Sequence, residues 1–243
     1  MTDEQKLYSE LAPWFHLLTD PADYADEAEL YRRLLVDACA PETVLELGSG
    51  GGNNASHLKR HFRLTLTDLS AEMLELSRSV NPECEHVLGD MRTMRLRREF
   101  DAVFAHDALA YLTTEEDLRA ALRTAAVHCR PGGAALFVPD TVRERFEEAT
   151  RHGGHDGAGR ALRYVEWTWD PDPDDSTYIS DFAYLLREED GNVRAVQDRH
   201  VCGVFDRSTW LRLLADVGLE AQMRETPWQT PWGQEMFLAR KPS

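Results

Sequence analysis

Hydrophobic positions along the chain switch between two periods, and the switches outline a fold. Residues 4–18 place Leu7, Leu11, Trp14, Phe15 and Leu18 at helical spacing. A second helical run begins near Ala22, carries Leu30, Leu34 and Leu35, and ends before Pro41. Short apolar runs at 43–47, 63–68, 86–88, 101–105 and 134–139 then read as strands. Helical stretches separate them at 54–60, at 71–80 behind the N-cap Ser70, and at 115–129 behind the N-cap Thr114. This alternation predicts an α/β protein with a parallel, doubly wound sheet. After Asp140 the rhythm breaks. Residues 152–159, rich in glycine and histidine, read as a mobile loop, and strand-like runs follow at 162–169, 178–187 and 193–205. Their separators, Asp170-Pro171-Asp172-Pro173-Asp174-Asp175 and Glu189-Asp190-Gly191-Asn192, are turn chemistry, so a three-stranded antiparallel meander is expected. A helix at 206–217, stopped by Gly218, and strands at 219–225 and 235–239 complete the chain.

One stretch organises this pattern: Thr43-Val44-Leu45-Glu46-Leu47-Gly48-Ser49-Gly50-Gly51-Gly52-Asn53-Asn54. It is the end of a buried strand turned by glycines into a helix, and glycine lets a ligand approach the backbone closely. The dinucleotide fingerprint G-x-G-x-x-G read from Gly48 fails at Asn53, which disfavours a nicotinamide oxidoreductase. The pattern that fits is E-x-G-x-G-x-G. Glu46 at the strand tip repels a pyrophosphate and favours an ammonium or another cation. Asp68, 22 positions after Glu46, ends the second strand, where a carboxylate can accept both hydroxyls of a ribose.

Composition narrows the partners. The formal net charge of −16 over 243 residues argues against nucleic acid, whose affinity rests on Lys and Arg, and fits a cationic cofactor or an amine substrate. Cys39, Cys84, Cys129 and Cys202 are scattered without framework spacing, which implies reduced thiols and no zinc site or other metal. The first residues lack a basic and apolar leader, and no apolar run reaches membrane length. A cytoplasmic protein that binds neither nucleic acid nor membrane, as a monomer or homodimer, is expected.

Four motifs in order carry a family resemblance: the glycine loop after Glu46, Asp68-Leu69-Ser70-Ala71-Glu72-Met73-Leu74, Gly89-Asp90-Met91, and Cys129-Arg130-Pro131-Gly132-Gly133. Together they resemble class I S-adenosylmethionine (SAM) methyltransferases, over about residues 44–139. The resemblance implies a Rossmann-like, seven-stranded, mostly parallel sheet with N-terminal helices and an inserted antiparallel β cap. Its implied division is a helical lid at 1–42, a cofactor core at 43–140 and 204–243, and a substrate cap at 141–203. The cofactor is then SAM. Glu46 would serve its methionine amino group, with Gly48, Ser49, Gly50 and Gly52 forming the loop. Asp68 would hold the ribose, Leu69 and Met73 would border the adenosine, and Asp90, between Gly89 and Met91, would accept the adenine amino group. Tyr24 and His106 complete the implied cofactor set.

Within that family the chain most resembles small-molecule methyltransferases such as the amino-sugar N-methyltransferases of antibiotic pathways. The narrower likeness lies in Tyr8-Ser9-Glu10-Leu11-Ala12 with Tyr24, in Leu109-Ala110-Tyr111-Leu112, and in Asp198-Arg199-His200. Where that family often has Tyr-Asp, this chain has Phe15-His16, and the tip of the fourth strand lacks the N-P-P-Y signature. The expected activity is methylation of a small molecule, at nitrogen first, with carbon or oxygen of an aromatic compound as the alternative. A non-catalytic SAM-binding module is the rival of a different class. Methyl transfer needs alignment above all, and one base to deprotonate the acceptor. His200 is the first candidate base and His106 the second. Tyr8, Phe15, Tyr111, Trp169, Tyr178 and His200 are the candidate substrate contacts. Trp167, Trp169, Tyr178, Phe182 and Tyr184 form either an aromatic pocket wall or the packing face of the meander.

Overall fold

Strands buried on both faces need continuous apolar sequence, and the central strands of this protein have it. The computed structural model describes residues 5–226 and 235–243. Parallel strands β1 (Thr43–Leu47), β2 (Arg63–Asp68), β3 (Glu85–Leu88), β4 (Phe100–His106) and β5 (Cys129–Val138) form the core. Their spatial order, β3-β2-β1-β4-β5, is continued by two antiparallel strands far along the chain, and the result is a seven-stranded sheet. Helices α1 (Phe15–Leu18), α2 (Ala25–Cys39), α3 (Asn53–Leu58), α4 (Ala71–Val80), α5 (Glu115–His128) and α6 (Arg207–Asp216) accompany it. One face of the sheet packs Tyr31 and Leu35 of α2 and Leu58 of α3 against Val44, Leu66 and Phe104. The other packs Leu118, Leu122 and Trp210 of α5 and α6 against Leu45, Val103 and Phe137. The caps are those the residue types predict: Ser70, Thr114 and Asp206 each accept a hydrogen bond from the backbone amide three residues on.

A second sheet is antiparallel throughout, in the order β6 (Ala149–Gly153), β7 (Ala161–Trp169), β8 (Thr177–Arg187), β9 (Val193–Gly203). It has four strands where the sequence pattern predicts three. Part of the expected loop, from residue 152, belongs to β6, whose sequence Ala-Thr-Arg-His-Gly has no apolar alternation to reveal it. Its register is supplied by the partner strand, with Thr150 opposite Trp167 and His152 opposite Val165. Helix α6 then leads to β10 (Glu220–Glu225) and β11 (Glu235–Arg240), which joins the main sheet against β5.

The N-terminal helix expected at 4–18 is not continuous, and its first residue, Glu4, lies outside the described residues. The chain makes two single 3₁₀ turns, Lys6–Tyr8 and Ala12–Trp14, before α1. Pro13 accounts for this, since it lacks an N–H and its ring would strike the carbonyl of Ser9. The apolar residues keep their purpose. Leu7, Leu11 and Trp14 pack on Leu162, Tyr184 and Leu186 of the second sheet, so both lie over the same edge of the core. That edge is the carboxyl end of the parallel strands, where β1, β2, β4 and β5 release Gly48, Leu69, Asp107 and Pro139. Among the described residues no helix is long and apolar enough to cross a membrane.

Candidate active site

A cavity of about 1310 Å³ opens between that edge, the N-terminal segment and the second sheet. Its floor is the glycine loop. Gly48, Gly50 and Gly52 have φ of 71°, 52° and 78°, a region L side chains rarely adopt. A Cβ on Gly48 would lie 2.3 Å from Ala108 Cβ and 2.8 Å from Met91 Cε, so only glycine lets the loop pass here. At Gly50 the added Cβ would meet only Phe15 at 3.8 Å, so its requirement is backbone conformation rather than space. The Gly51 carbonyl is covered by the N-terminal segment, whose His16 Nε2 lies 3.1 Å from Gly51 O.

Asp68 holds this loop from the tip of β2. The Gly50 amide donates to its Oδ2 and the Ser70 amide to its Oδ1, each at 2.8 Å. A carboxylate oxygen has two acceptor positions, so one on each oxygen is left for a pair of vicinal hydroxyls. Burial raises Asp68, and these amide bonds pull it part of the way back. Glu46 is 4% exposed, and burial, with the charge of Asp68 nearby, pushes it up to about 8. Its Oε2 has no hydrogen-bond partner. A buried carboxylate left this way at a cavity wall calls for a cation, and the close-approach glycine beside it calls for a ligand against the backbone. Both observations fit the methionine end of SAM. Leu69, 69% exposed, and Met91 present apolar surface at the cavity edge, as an adenosine requires.

Glu46 yields a pH prediction. Its folded value lies above the ordinary carboxylate value of 4.5, so it stabilises the fold while protonated. That contribution is complete below the ordinary value and is lost as pH rises through about 8. A bound cation reverses the preference, so SAM should bind more tightly as pH rises toward about 8, with release of a proton that is largest below that value and fades above it. Calorimetry in buffers of different ionisation enthalpy measures the proton. Glu46→Gln should abolish the release and flatten the pH dependence of the SAM-induced rise in Tm.

Not every expected cofactor residue reaches the cavity. Ser49, Gly89, Tyr24 and His106 do. Gly52 does not line it, because a Cβ there would meet Asn81 Nδ2 at 2.3 Å and Ser77 Oγ at 2.4 Å, and its task is to start α3 against α4. Met73 is fully buried on α4 and supports the site from below. Asp90 lines the cavity, but both its oxygens accept from Arg92, which also reaches Asp117. With a further bond from the Arg92 backbone amide to Oδ1, Arg92 occupies most of the acceptor positions that an adenine amino group would use at Asp90.

The opposite wall comes from the second sheet, where strand periodicity decides which side chains enter. Even-numbered positions of β7, β8 and β9 face inward: Glu166 and Thr168, Tyr178 to Phe182, His200 and Cys202. Trp169 has the other parity, so its expected substrate contact is not made. It stacks on Trp167 and donates Nε1–H to Asp181 on the outer face. Tyr184 faces inward but is sealed beneath the N-terminal segment. The expected contacts Tyr8, Phe15, Tyr111, Tyr178 and His200 do line the cavity.

Four side chains from the second sheet, the N-terminal segment and the turn after β4, three of them lining the cavity, form one hydrogen-bonded chain. Tyr8 Oη lies 2.6 Å from Tyr111 Oη, which lies 2.8 Å from His200 Nδ1, and His200 Nε2 lies 3.1 Å from Asp198 Oδ2. The Leu7 amide also donates to Asp198 Oδ2, at 2.9 Å. Burial alone would raise Asp198, but the bonds from His200 and Leu7 hold it below its ordinary value. Asp198 therefore accepts a hydrogen bond from His200 Nε2–H, which leaves Nδ1 as acceptor for Tyr111. Both nitrogens of His200 are thus committed, and its line to the cavity runs through the two tyrosines. His106 sits at the tip of β4, with Nε2 3.3 Å from Asp107 Oδ1 and no hydrogen bond of its own. Burial lowers its pKa.

Sequence reasoning missed Asp107, Asp140 and Glu166 as cavity residues. Isolated acids in loop-like or alternating sequence carry no local signal. Only the position of Asp107 and Asp140 immediately beyond parallel strands could have pointed to them.

A glycine loop beside an unpartnered buried carboxyl group, an acid at the tip of the next strand and a covered cavity above them fit a SAM-dependent methyltransferase. The methyltransferase domain family matches residues 44–133. Over 219 residues, covering 89% of each chain, the sequence is 33% identical to dTDP-3-amino-3,4,6-trideoxy-alpha-D-glucopyranose N,N-dimethyltransferase of Streptomyces venezuelae. The chain therefore belongs to the class I SAM-dependent methyltransferase family, and its cofactor is SAM. Among solved structures it is similar to Streptomyces venezuelae DesVI, with a TM-score of 0.85, 25% identity and coverage of 96% of this chain and 98% of that one. SAM-bound CalS10, an amino pentose methyltransferase from Micromonospora echinaspora, superposes with a TM-score of 0.76 at 25% identity, covering 90% and 92%.

Proposed function

We propose that this enzyme N-methylates a small-molecule amine, an amino sugar or a close analogue, and that residues 141–203 with the N-terminal segment form its acceptor cap. The observation that carries the reading is the chain Tyr8–Tyr111–His200–Asp198, which offers an acidic proton a path away from the cavity. SAM supplies an electrophilic methyl group on a sulfonium. The protein aligns the acceptor, excludes water and removes a proton. A protonated amine has no lone pair to attack with, so its proton must leave first. It passes to Tyr8 Oη as the Tyr8 proton moves to Tyr111 Oη and the Tyr111 proton to His200 Nδ1. The resulting imidazolium is held by Asp198, and the amine has gained the lone pair that forms the N–C bond. Alignment in such an enclosure is worth roughly 7–11 kcal/mol.

The test is product analysis by mass spectrometry with SAM and matched acceptors: amino sugars, their hydroxyl counterparts and simple phenols. Methylated amines with untouched hydroxyl counterparts are expected. Methylation of phenols or of carbon alone overturns the nitrogen assignment. SAM binding without turnover of any acceptor favours a non-catalytic module.

A further inference from the structure

Strands β4 and β5 run in parallel register, His106 beside Val138, and release Asp107 and Asp140 at the same end of the sheet. Both acids line the acceptor side of the cavity, and Glu166 of β7 lines it with them. Burial raises both. Glu27 raises Asp107 further, and the charges of Asp107 and Glu166 raise Asp140. Asp107 Oδ1 and Asp140 Oδ2 are buried and have no hydrogen-bond partner. A separate observation points to the same spot: the His106 side chain is 8% exposed and its Nε2 makes no hydrogen bond, although it lies 3.3 Å from Asp107 Oδ1 and 3.5 Å from Glu27 Oε1. Unpaired buried acceptors are costly, and two carboxyl oxygens close enough for their charges to interact match a group with several donors, as an alkylammonium has.

The basic groups of the cavity wall are each already beside a carboxylate. Arg92 is held by Asp90 and Asp117, Arg151 lies 3.7 Å from Glu166, and His155 lies 3.2 Å from Asp23. Residues 1–4 and 227–234 add no Lys or Arg to the sequence. A diphosphate brought into this enclosure would be desolvated against carboxylates, whereas a cation would be stabilised by them.

We propose that Asp107, Asp140 and His106 form an ammonium subsite, and that the acceptor it selects is an amine carrying no diphosphate, such as an amino sugar borne on a neutral glycoside. The proposal rests on the reading of the acceptor as an amine. It also separates this chain from relatives whose names specify dTDP-linked sugars.

The experiment is calorimetric titration of the enzyme complexed with S-adenosylhomocysteine. The probes are a methyl 3-amino-3-deoxyglucoside, the 3-hydroxy glucoside, the dTDP conjugate of the amino sugar, and dTDP alone. The aminoglycoside should bind at least about tenfold more tightly than the hydroxy glucoside and than the dTDP conjugate, and dTDP should not compete with it. Asp107→Asn and Asp140→Asn should each weaken the aminoglycoside by at least about tenfold with SAM affinity within about twofold. Equal affinity for the amino and hydroxy glucosides in the wild type overturns the subsite, a comparison that needs no variant to fold. Failure of the aminoglycoside to bind overturns it as well. Tighter binding of the dTDP conjugate, or competition by dTDP, overturns the exclusion of diphosphate. An aminoglycoside that binds through Asp107 and Asp140 but is methylated on oxygen, or not at all, sinks the N-methylation reading and leaves the subsite standing.

Discussion

Replacing Asp68 by alanine is expected to weaken SAM by about 1.5–3 kcal/mol, roughly a ten- to 150-fold rise in Kd. Two losses combine in that number. The carboxylate no longer presents its remaining acceptor positions to the ribose, and the Gly50 amide loses the Oδ2 that fixes the loop. Amide exchange separates them. If the loop is the main loss, Gly50 should exchange faster in the variant without ligand and stay fast with SAM. If the ribose is the main loss, exchange without ligand should stay near wild type. A folded Asp68→Ala protein that binds SAM within about twofold of wild type would place the ribose elsewhere. The same titration tests the floor of the loop. Gly48→Ala, with no room toward Ala108 and a left-handed φ, should lose SAM binding or fold poorly, whereas Gly50→Ala meets only the backbone penalty.

Cutting the proton path should be costlier to turnover and neutral to the cofactor. His200→Asn is expected to lower kcat by roughly 10²–10⁴-fold with unchanged SAM affinity. Since both nitrogens of His200 are engaged, its path toward the acceptor runs through Tyr111 and then Tyr8, and Tyr111→Phe should produce a loss of similar size. Residues that act as one unit are not additive, so the double variant should be little worse than either single one. Asparagine and phenylalanine nearly preserve volume, which limits collapse of the wall. A loss of less than about tenfold in both variants would mean that alignment alone carries the reaction. A larger loss in His106→Asn than in His200→Asn would move the base to the tip of β4.

Most of the core was legible residue by residue because its signals are local. Buried parallel strands must be apolar throughout, so β1 and β2 fall at the predicted residues, and Ser70 and Thr114 cap helices for reasons contained in three or four neighbouring residues. The cofactor half of the site was legible for a similar reason. Glu46, Gly48 and Asp68 lie within or at the ends of two adjacent strands, so their meeting follows from strand order alone.

The acceptor half depends on long-range packing. Tyr8, Tyr111, His200 and Asp198 come from three distant segments, and nothing in the spacing of 8, 111 and 200 announces a hydrogen-bonded chain. Sequence identified three of these four as candidates, but treated His200 as a free base rather than a residue held at both nitrogens. Trp169 shows the same limit. Its aromatic ring satisfies the composition of a pocket wall, yet one step of strand parity turns it to the outer face. Pro13 breaks a helix that apolar spacing alone predicts, and β6 exists only because β7 offers it a ladder. Asp107, Asp140 and His106 complete the contrast. Sequence singled out His106 but neither acid, and only the joint burial of their atoms at neighbouring strand ends brings the three together.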